Sequence, residues 1–205
     1  MIPHIVVLGG GSSGTLTANV LARRLHPNEA AITVVDASGI HAYQPGFTRL
    51  ALGTRTHKSL VRDMRRLLQR RIRLIIDDAV RVDPVGRTLH LRSNGALPYD
   101  RLILATGSHL DPMGVPGLAS GTHEFYSLNG ARRLGEALAE FDGGDVVIGV
   151  AGMPYSCPPA PASFAFLLEQ QLRKTGLRNR TRLHFISPIE SAIPIREAAG
   201  LLSGQ

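Results

Sequence analysis

Ile5-Val6-Val7-Leu8-Gly9-Gly10-Gly11-Ser12-Ser13-Gly14 stands near the start of the chain, and the next apolar run, 32–35, closes on Asp36. Together these read as a strand, a G-x-G-x-x-G turn, a helix and a second strand ending in a carboxylate. Each glycine has a physical task. Gly9 makes the tight turn out of the strand, Gly11 has no Cβ to block a pyrophosphate approaching the backbone, and Gly14 lets the helix pack closely on the strand. The helix N-terminus then faces the anion. Asp36 lies 22 residues beyond Gly14, the separation that lets a carboxylate accept hydrogen bonds from an adenosine ribose. The alternative is an ordinary glycine-rich βα turn. The flanking strand, helix and acidic residue favour a dinucleotide site.

Working outward, the first helix is expected over 13–24, with Leu16, Val20 and Leu21 as its apolar stripe. A long loop follows over 37–53, containing His41, Tyr43, Gln44, Pro45 and Gly46; loops of that length are often functional. Leu60, Met64, Leu67 and Leu68 recur at helical spacing and predict a helix over 58–71. Arg62, Arg65, Arg66 and Arg70 fall mostly off that stripe, as a solvated basic face or as a contact for a membrane surface or an acidic partner. Strand-like runs follow at 72–76, 79–83 and 88–92, and turn signals at Asp83-Pro84 and Ser93-Asn94-Gly95 make the later runs a small antiparallel meander. Tyr99 to Gly107 reads as a buried strand stopping in the tight turn Ala105-Thr106-Gly107.

Past Gly107 the composition changes. Residues 111–121 are rich in Pro and Gly and read as a linker. A helix over 129–140 turns Leu134 and Leu138 inward, and 145–150 is a new buried strand. It runs into Gly152-Met153-Pro154-Tyr155-Ser156-Cys157-Pro158-Pro159-Ala160-Pro161. The helix after it reaches about Lys174, carries Phe164, Leu168 and Leu172 inward, and is stopped by Gly176; one more strand spans 182–186, before a tail containing Gly and Ser. A second dinucleotide site here would need glycines and free N–H groups at the helix start. Pro158, Pro159 and Pro161 stand there instead, without N–H and with rings that fill space, so NAD(P) binding is expected to be lost. Cys157 sits at the same helix entrance. Its thiolate would be favoured by the helix dipole; the plainer reading is a buried, inert cysteine.

Composition sets the limits. The 205 residues suffice for one large or two small domains, and 43% are hydrophobic, as in an ordinary globular protein. No window can span a bilayer, and a strand beginning so near Met1 leaves no room for a signal peptide, so a cytoplasmic location is expected. The single cysteine rules out an internal disulfide and any multi-cysteine metal site, and no metal is expected. The net charge is +7, almost all of it arginine; Lys58 and Lys174 are the only lysines. That excess permits attraction to nucleic acid or anionic lipid, and an arginine-rich genome explains it equally well. No interleaving of aromatic and basic residues supports a nucleic-acid site, and none is expected.

The pattern resembles the flavoproteins with two dinucleotide-binding domains. Within them it is similar to the sulfide:quinone oxidoreductase and flavocytochrome c sulfide dehydrogenase branch. Tyr43-Gln44-Pro45-Gly46-Phe47, Ala51-Leu52-Gly53 and above all the Cys157-to-Pro161 run carry that closer likeness, which extends from Met1 to about Pro188. The resemblance implies an α/β chain: a Rossmann-like FAD-binding βαβ domain with a small antiparallel meander (1–108), then an incomplete second Rossmann-like unit (109–205). FAD is the implied cofactor. Gly9, Gly11, Ser13 and Gly14 would hold its pyrophosphate, Asp36 with neighbouring Ala37 its ribose, and Ala79 and Val80 would flank the adenine. Gln44 and Pro45 would lie close to the isoalloxazine, and Ala105, Thr106 and Gly107 would pass near the cofactor. Cys157 would attack or carry sulfur beside the flavin.

The implied reaction takes electrons from a sulfide-like donor through flavin to a quinone. A flavoprotein of the type II NADH dehydrogenase kind, or an inactive truncated nucleotide-binding module, are the alternatives. Three differences stand out. Tyr126 in His123-Glu124-Phe125-Tyr126 stands where many of these enzymes have another cysteine, and Ser163 stands where the family places a glutamate. The family's chains are about twice as long. Their C-terminal half completes the flavin domain, brings a second active-site cysteine and carries the membrane- or partner-binding surface. The chain therefore reads as truncated or as one part of a split protein, cytoplasmic and peripheral on the inner face of the cell membrane.

Overall fold

The structure is a computed structural model that describes residues 2–153 and 155–188. Pro154 of the proline-rich run and the expected Gly- and Ser-containing tail lie outside the described residues. The first elements are β1 (His4–Leu8), α1 (Ser12–Arg24), β2 (Ala31–Asp36), β3 (Ile40–Ala42), α2 (Phe47–Ala51), α3 (His57–Leu60) and β4 (Val61–Asp63). Then come β5 (Arg73–Ile76), β6 (Ala79–Asp83), β7 (Thr88–Leu91), β8 (Gly95–Pro98), β9 (Arg101–Leu104) and α4 (Leu118–Gly121). The last are α5 (Leu128–Glu140), β10 (Gly144–Gly149), α6 (Ala160–Lys174) and β11 (Thr181–Ile186). Two units result: Met1–Tyr43 with Lys58–Leu110, and Gln44–His57 with Asp111–Gln205.

The first unit is built on a parallel sheet in the order β5-β2-β1-β9. Val6, Val7, Val34 and Val35 are fully buried, because each face of the sheet is covered. On one face α1 packs through Ala18 and Ala22 against Val7, Ile32 and Val34, with Met64 and Ile72 beside them. On the other, Leu89 and Leu91 of the antiparallel meander β6-β7-β8 meet Val6, Val35 and Ile75. The meander has a third strand, β8, which the turn signal at 93–95 concealed.

Three expectations need correction. The helix expected over 58–71 is a single turn, α3, followed by β4 and a 3₁₀ turn over Met64–Arg66. Tertiary contacts outweigh the helical spacing: β4 pairs antiparallel with β3, the Met64 N–H donates to Gly39 O (3.0 Å), and the Met64 side chain is fully buried. Asn19 fastens the segment that follows, donating to Leu67 O (2.8 Å) and accepting from the Gln69 N–H (3.0 Å). The loop expected over 37–53 holds β3, a 3₁₀ turn at Gln44–Gly46 and α2, because paired short strands and helical turns satisfy its backbone groups. Only part of the stripe assigned to α1 faces the core: Leu21 packs on it, but Leu16 is 63% and Val20 39% exposed, while Gly14, Thr15, Ala18 and Ala22 are buried. Small residues let the helix come close to the sheet, and they outweigh hydrophobicity at that contact.

Arg71 holds the end of α1 in place. Its guanidinium donates to Ala22 O (3.3 Å) and Leu25 O (2.7 Å), carbonyls at the helix end, and to Ala30 O (2.8 Å) just before β2.

In the second unit α6 lies on the parallel pair β10-β11, and Phe164, Leu168 and Leu172 are buried, as their spacing predicts. Gly176 takes a positive φ (75°) past its end, a conformation that suits glycine. The segment 44–57 groups with this unit because α2 packs on α5. Gly135 of α5 makes the contact close: a Cβ there would lie 3.2 Å from Ala51 O and 3.3 Å from Leu50 O. The expected linker contains a 3₁₀ turn at Pro112–Gly114 and the short helix α4. Among the described residues no helix is long and apolar enough to cross a membrane.

Candidate functional site

The turn between β1 and α1 is shaped by its glycines. Gly9 has φ +98°, and a Cβ on it would run into the Ala105 carbonyl just past β9. A Cβ on Gly14 would collide with Gly9 O, so the first turn of α1 can sit on the strand end only without a side chain. A Cβ on Gly10 would meet Met64 Sδ and Cε. Nothing lies within 4 Å of the Cβ position at Gly11, which is exposed, as are Ser12 and Ser13. No side chain caps α1, so its first N–H groups are left for an anion.

Asp36, at the carboxyl end of β2, spans this turn. Its Oδ2 accepts from the Gly10 N–H (2.8 Å), and its Oδ1 accepts from the N–H groups of Ser38 and Gly39 and from the Ser38 hydroxyl (each 2.9 Å). Sequence reasoning gave this carboxylate a ribose; here it also fastens the glycine loop to the end of β2. Burial pushes the Asp36 carboxyl up, but the N–H donors of Gly10, Ser38 and Gly39 and the Ser38 hydroxyl outweigh it and hold the pKa below the usual range. A lowered carboxyl contributes stability above its unfolded pKa and loses it as pH falls through the folded value. Stability of the first unit should therefore decline below about pH 4, and Asp36→Asn should flatten that decline in thermal melts across pH.

The other expected residues of this unit gather at the same end of the sheet. The Asp77 N–H donates to Asp36 O (3.0 Å), which brings the start of β6 to the end of β2. A β-bulge between Ala79 and Arg81 leaves Val80 outside the ladder and 54% exposed. Asp77 anchors this corner: its buried carboxylate accepts from the N–H groups of Ser93 (3.0 Å) and Asn94 (2.8 Å) and from the Asn94 amide (2.7 Å). Sequence reasoning passed over it, although an Asp-Asp pair before a strand is a turn signal. Ala105 is half-buried against Gly9, while Thr106 and Gly107 (φ +69°) are exposed. Ala37 is exposed directly after Asp36.

The remaining expected residues belong to the second unit. Gln44 and Pro45 are exposed in their 3₁₀ turn. Cys157 is exposed rather than buried, and it holds a positive φ (52°) that is uncommon for a side-chain-bearing residue. Its carbonyl accepts from the Ala160 N–H (2.9 Å) at the start of α6. Pro159 and Pro161 flank that residue, so the helix entrance offers few N–H groups to a second pyrophosphate.

Near Cys157 lies Tyr126. Its hydroxyl is buried without a hydrogen-bond partner among the described residues. Burial, with the negative charge of ionised Cys157 and Tyr155 nearby, pushes the phenol up to about 12, so it stays neutral at physiological pH. Phe125 stacks on Tyr126 (5.1 Å) and on Phe164 of α6 (4.5 Å). Glu124 fixes this corner by accepting from the N–H groups of Tyr126 (2.6 Å) and Ser127 (2.9 Å); the sequence offered only an acidic residue before a helix start.

A glycine-built anion cradle at the carboxyl ends of a parallel sheet, with a carboxylate at the end of the second strand, defines a dinucleotide-binding α/β protein. The chain belongs to the pyridine nucleotide-disulphide oxidoreductase family, which it matches over residues 3–157. It is 31% identical over 191 residues to the sulfide-quinone reductase of Aquifex aeolicus, covering 91% of this chain and 43% of that protein. It is 27% identical to the mitochondrial sulfide:quinone oxidoreductase of Mus musculus, covering 97% of this chain and 45% of the relative. The X-ray structure of the Aquifex aeolicus sulfide:quinone oxidoreductase superposes with a TM-score of 0.87 at 28% identity, over 98% of this chain and 48% of that one. A type II NADH:quinone oxidoreductase of Staphylococcus haemolyticus is a weaker relative, at 20% identity. The chain thus spans about half the length of the relatives it matches. The fold is the Rossmann type of these flavin-binding oxidoreductases, and the residues of the first unit fit a bound dinucleotide.

Proposed function

We propose that this chain forms the FAD-binding part of a sulfide:quinone-type oxidoreductase, with electrons passing from a sulfide-like donor through FAD to a quinone. One observation carries this reading: Gly9, Gly11, Gly14, Asp36, the Ala79–Val80 bulge and Ala105-Thr106-Gly107 converge at one end of the first sheet. When bound, FAD supplies a two-electron acceptor that can be reoxidised. The chain's own residues do the rest. Gly11, Ser13 and the first N–H groups of α1 take the pyrophosphate, and Asp36 with Ala37 takes the ribose. Ala79 and Val80 border the adenine. Ala105, Thr106 and Gly107 pass along the cofactor, and Gln44 and Pro45 lie at its ring. Cys157 would form an S–S bond with the donor's sulfur, a two-electron oxidation for which bound FAD would be the acceptor, and its exposure leaves it open to a small anionic donor. Quinone is a lipid-phase acceptor, so on this reading the protein works at a membrane surface, with the cytoplasmic side the one expected from the sequence.

Pro158, Pro159 and Pro161 weigh against an NAD(P)H donor. A visible spectrum tests both points. The purified protein should carry a blue-absorbing flavin that sulfide bleaches anaerobically and NADH bleaches slowly. Fast bleaching by micromolar NADH would refute the assignment and favour a type II NADH dehydrogenase.

β9 pairs with β1 on one side, no described strand covers its other edge, and Leu104 there is 66% exposed. Such an edge accepts another strand. The half of the relatives' length that this chain does not span is the proposed source. The 205-residue chain alone should therefore hold FAD weakly and turn over little. Adding that half should raise both flavin retention and sulfide-dependent quinone reduction; robust turnover by the chain alone would count against it.

A further inference from the structure

The first unit carries a second concave site, away from the glycine turn. Arg65, Leu68, Gln69, Arg70, Ile72 and Leu74 line an open groove of about 290 Å³. Its lining is mixed, with Gln69 and the two arginines beside an apolar part: Ile72 is buried, and Leu68 and Leu74, partly buried, pack on the same core as Val7 and Val34. Arg65 and Arg70 are exposed. Arg65 has one ion pair, a solvent-exposed one with Asp63 at 3.6 Å, and Arg70 has no partner among the described residues. Arg71, by contrast, is spent on the end of α1. Between Lys58 and Arg73 the sequence has seven basic residues and one acid, Asp63.

Two guanidinium groups beside an apolar part suit a ligand that is both anionic and greasy. Guanidinium forks bind phosphate oxygens with paired hydrogen bonds. A free phosphate would leave the exposed parts of Leu68 and Leu74 in contact with water, whereas a phosphodiester bearing acyl chains meets both the charge and that apolar surface. We propose that this groove binds the headgroup of an anionic phospholipid and holds the first unit against a membrane surface. The basic surroundings add attraction to the negative leaflet. The site is independent of the flavin site, so flavin content and lipid binding can fail separately.

The test is co-sedimentation of the full 205-residue chain with vesicles at physiological ionic strength. Phosphatidylcholine vesicles containing phosphatidylglycerol should retain the protein, and pure phosphatidylcholine vesicles should not. Arg65→Gln with Arg70→Gln should weaken partitioning about thirtyfold, the effect of removing two charges at an anionic surface. Arg132→Gln with Arg133→Gln makes the same change of net charge on α5 and should cost no more than about threefold. Circular dichroism of both double variants establishes that they fold. No retention on anionic vesicles, or equal loss in the two double variants, would overturn the proposal. So would displacement by millimolar inorganic phosphate, which would mark a free-phosphate site. Tight binding of polyglutamate that needs Arg65 and Arg70 would also overturn it, in favour of an acidic protein partner.

Discussion

A Gly11→Val protein is expected to fold normally and to lose its flavin, while a Gly14→Val protein should lose stability as well. The two glycines are three residues apart, but their surroundings differ. The Cβ position at Gly11 opens into free space, so valine there meets nothing in the protein and occupies the room an approaching pyrophosphate needs. FAD affinity should fall on the order of a hundredfold, or about 2.7 kcal/mol, with the melting temperature almost unchanged. At Gly14 the Cβ meets backbone, the carbonyl oxygen of Gly9, which cannot rotate away. Separating α1 from the end of β1 should cost about 3 kcal/mol, roughly 6–12 °C in melting temperature for a chain of this size. Full flavin content in Gly11→Val would mean that the pyrophosphate lies elsewhere. An unchanged melting temperature in Gly14→Val would contradict the close helix–strand contact.

Cys157→Ser is expected to produce the largest loss of activity. In the proposed reaction the Cys157 sulfur bonds to the donor's sulfur, whereas a serine hydroxyl is essentially un-ionised at neutral pH and cannot carry sulfane sulfur. In a polypeptide of the relatives' full length, sulfide-dependent flavin reduction should drop on the order of a thousandfold while flavin content stays constant. Retention of the wild-type rate would remove Cys157 from the reaction. Tyr126 offers a finer comparison. Its phenol is held neutral by a pKa raised to about 12 and has no hydrogen-bond partner among the described residues, so it can donate a hydrogen bond but cannot form a persulfide. Tyr126→Phe should therefore leave folding intact, whereas an acidic residue there would bury a charge beside the Phe125 and Phe164 rings.

Much of the architecture follows from local rules. Gly9 and Gly14, the carboxylate at the end of β2 and the buried runs of β1 and β2 specify a strand–turn–helix–strand unit, because close backbone approach admits only glycine. Phe164, Leu168 and Leu172 predict the buried face of α6, since one apolar stripe meets one sheet. The prolines at its start declare their effect without any structure, because a missing N–H is missing in every fold.

Other features required the tertiary structure. Leu60, Met64, Leu67 and Leu68 keep helical spacing, yet the chain is drawn out of a helix by pairing of β4 with β3 and by burial of Met64. The strand partner lies about 20 residues away, and no local pattern announces it. Leu16 and Val20 look like the core face of α1, but the glycine turn brings that helix so near the sheet that only Gly14, Ala18 and Ala22 fit beneath it. Asp36 shows the same division within one residue. Its position at the end of β2 and its local bonds to Ser38 and Gly39 belong to one short stretch of sequence, whereas its hydrogen bond to Gly10 exists only once β1 and β2 lie side by side. By itself the sequence determined which backbone sites must be bare and where charge and sulfur sit along the chain. The tertiary structure decided which of these groups meet, because pairings between distant segments depend on packing that no short window of residues contains.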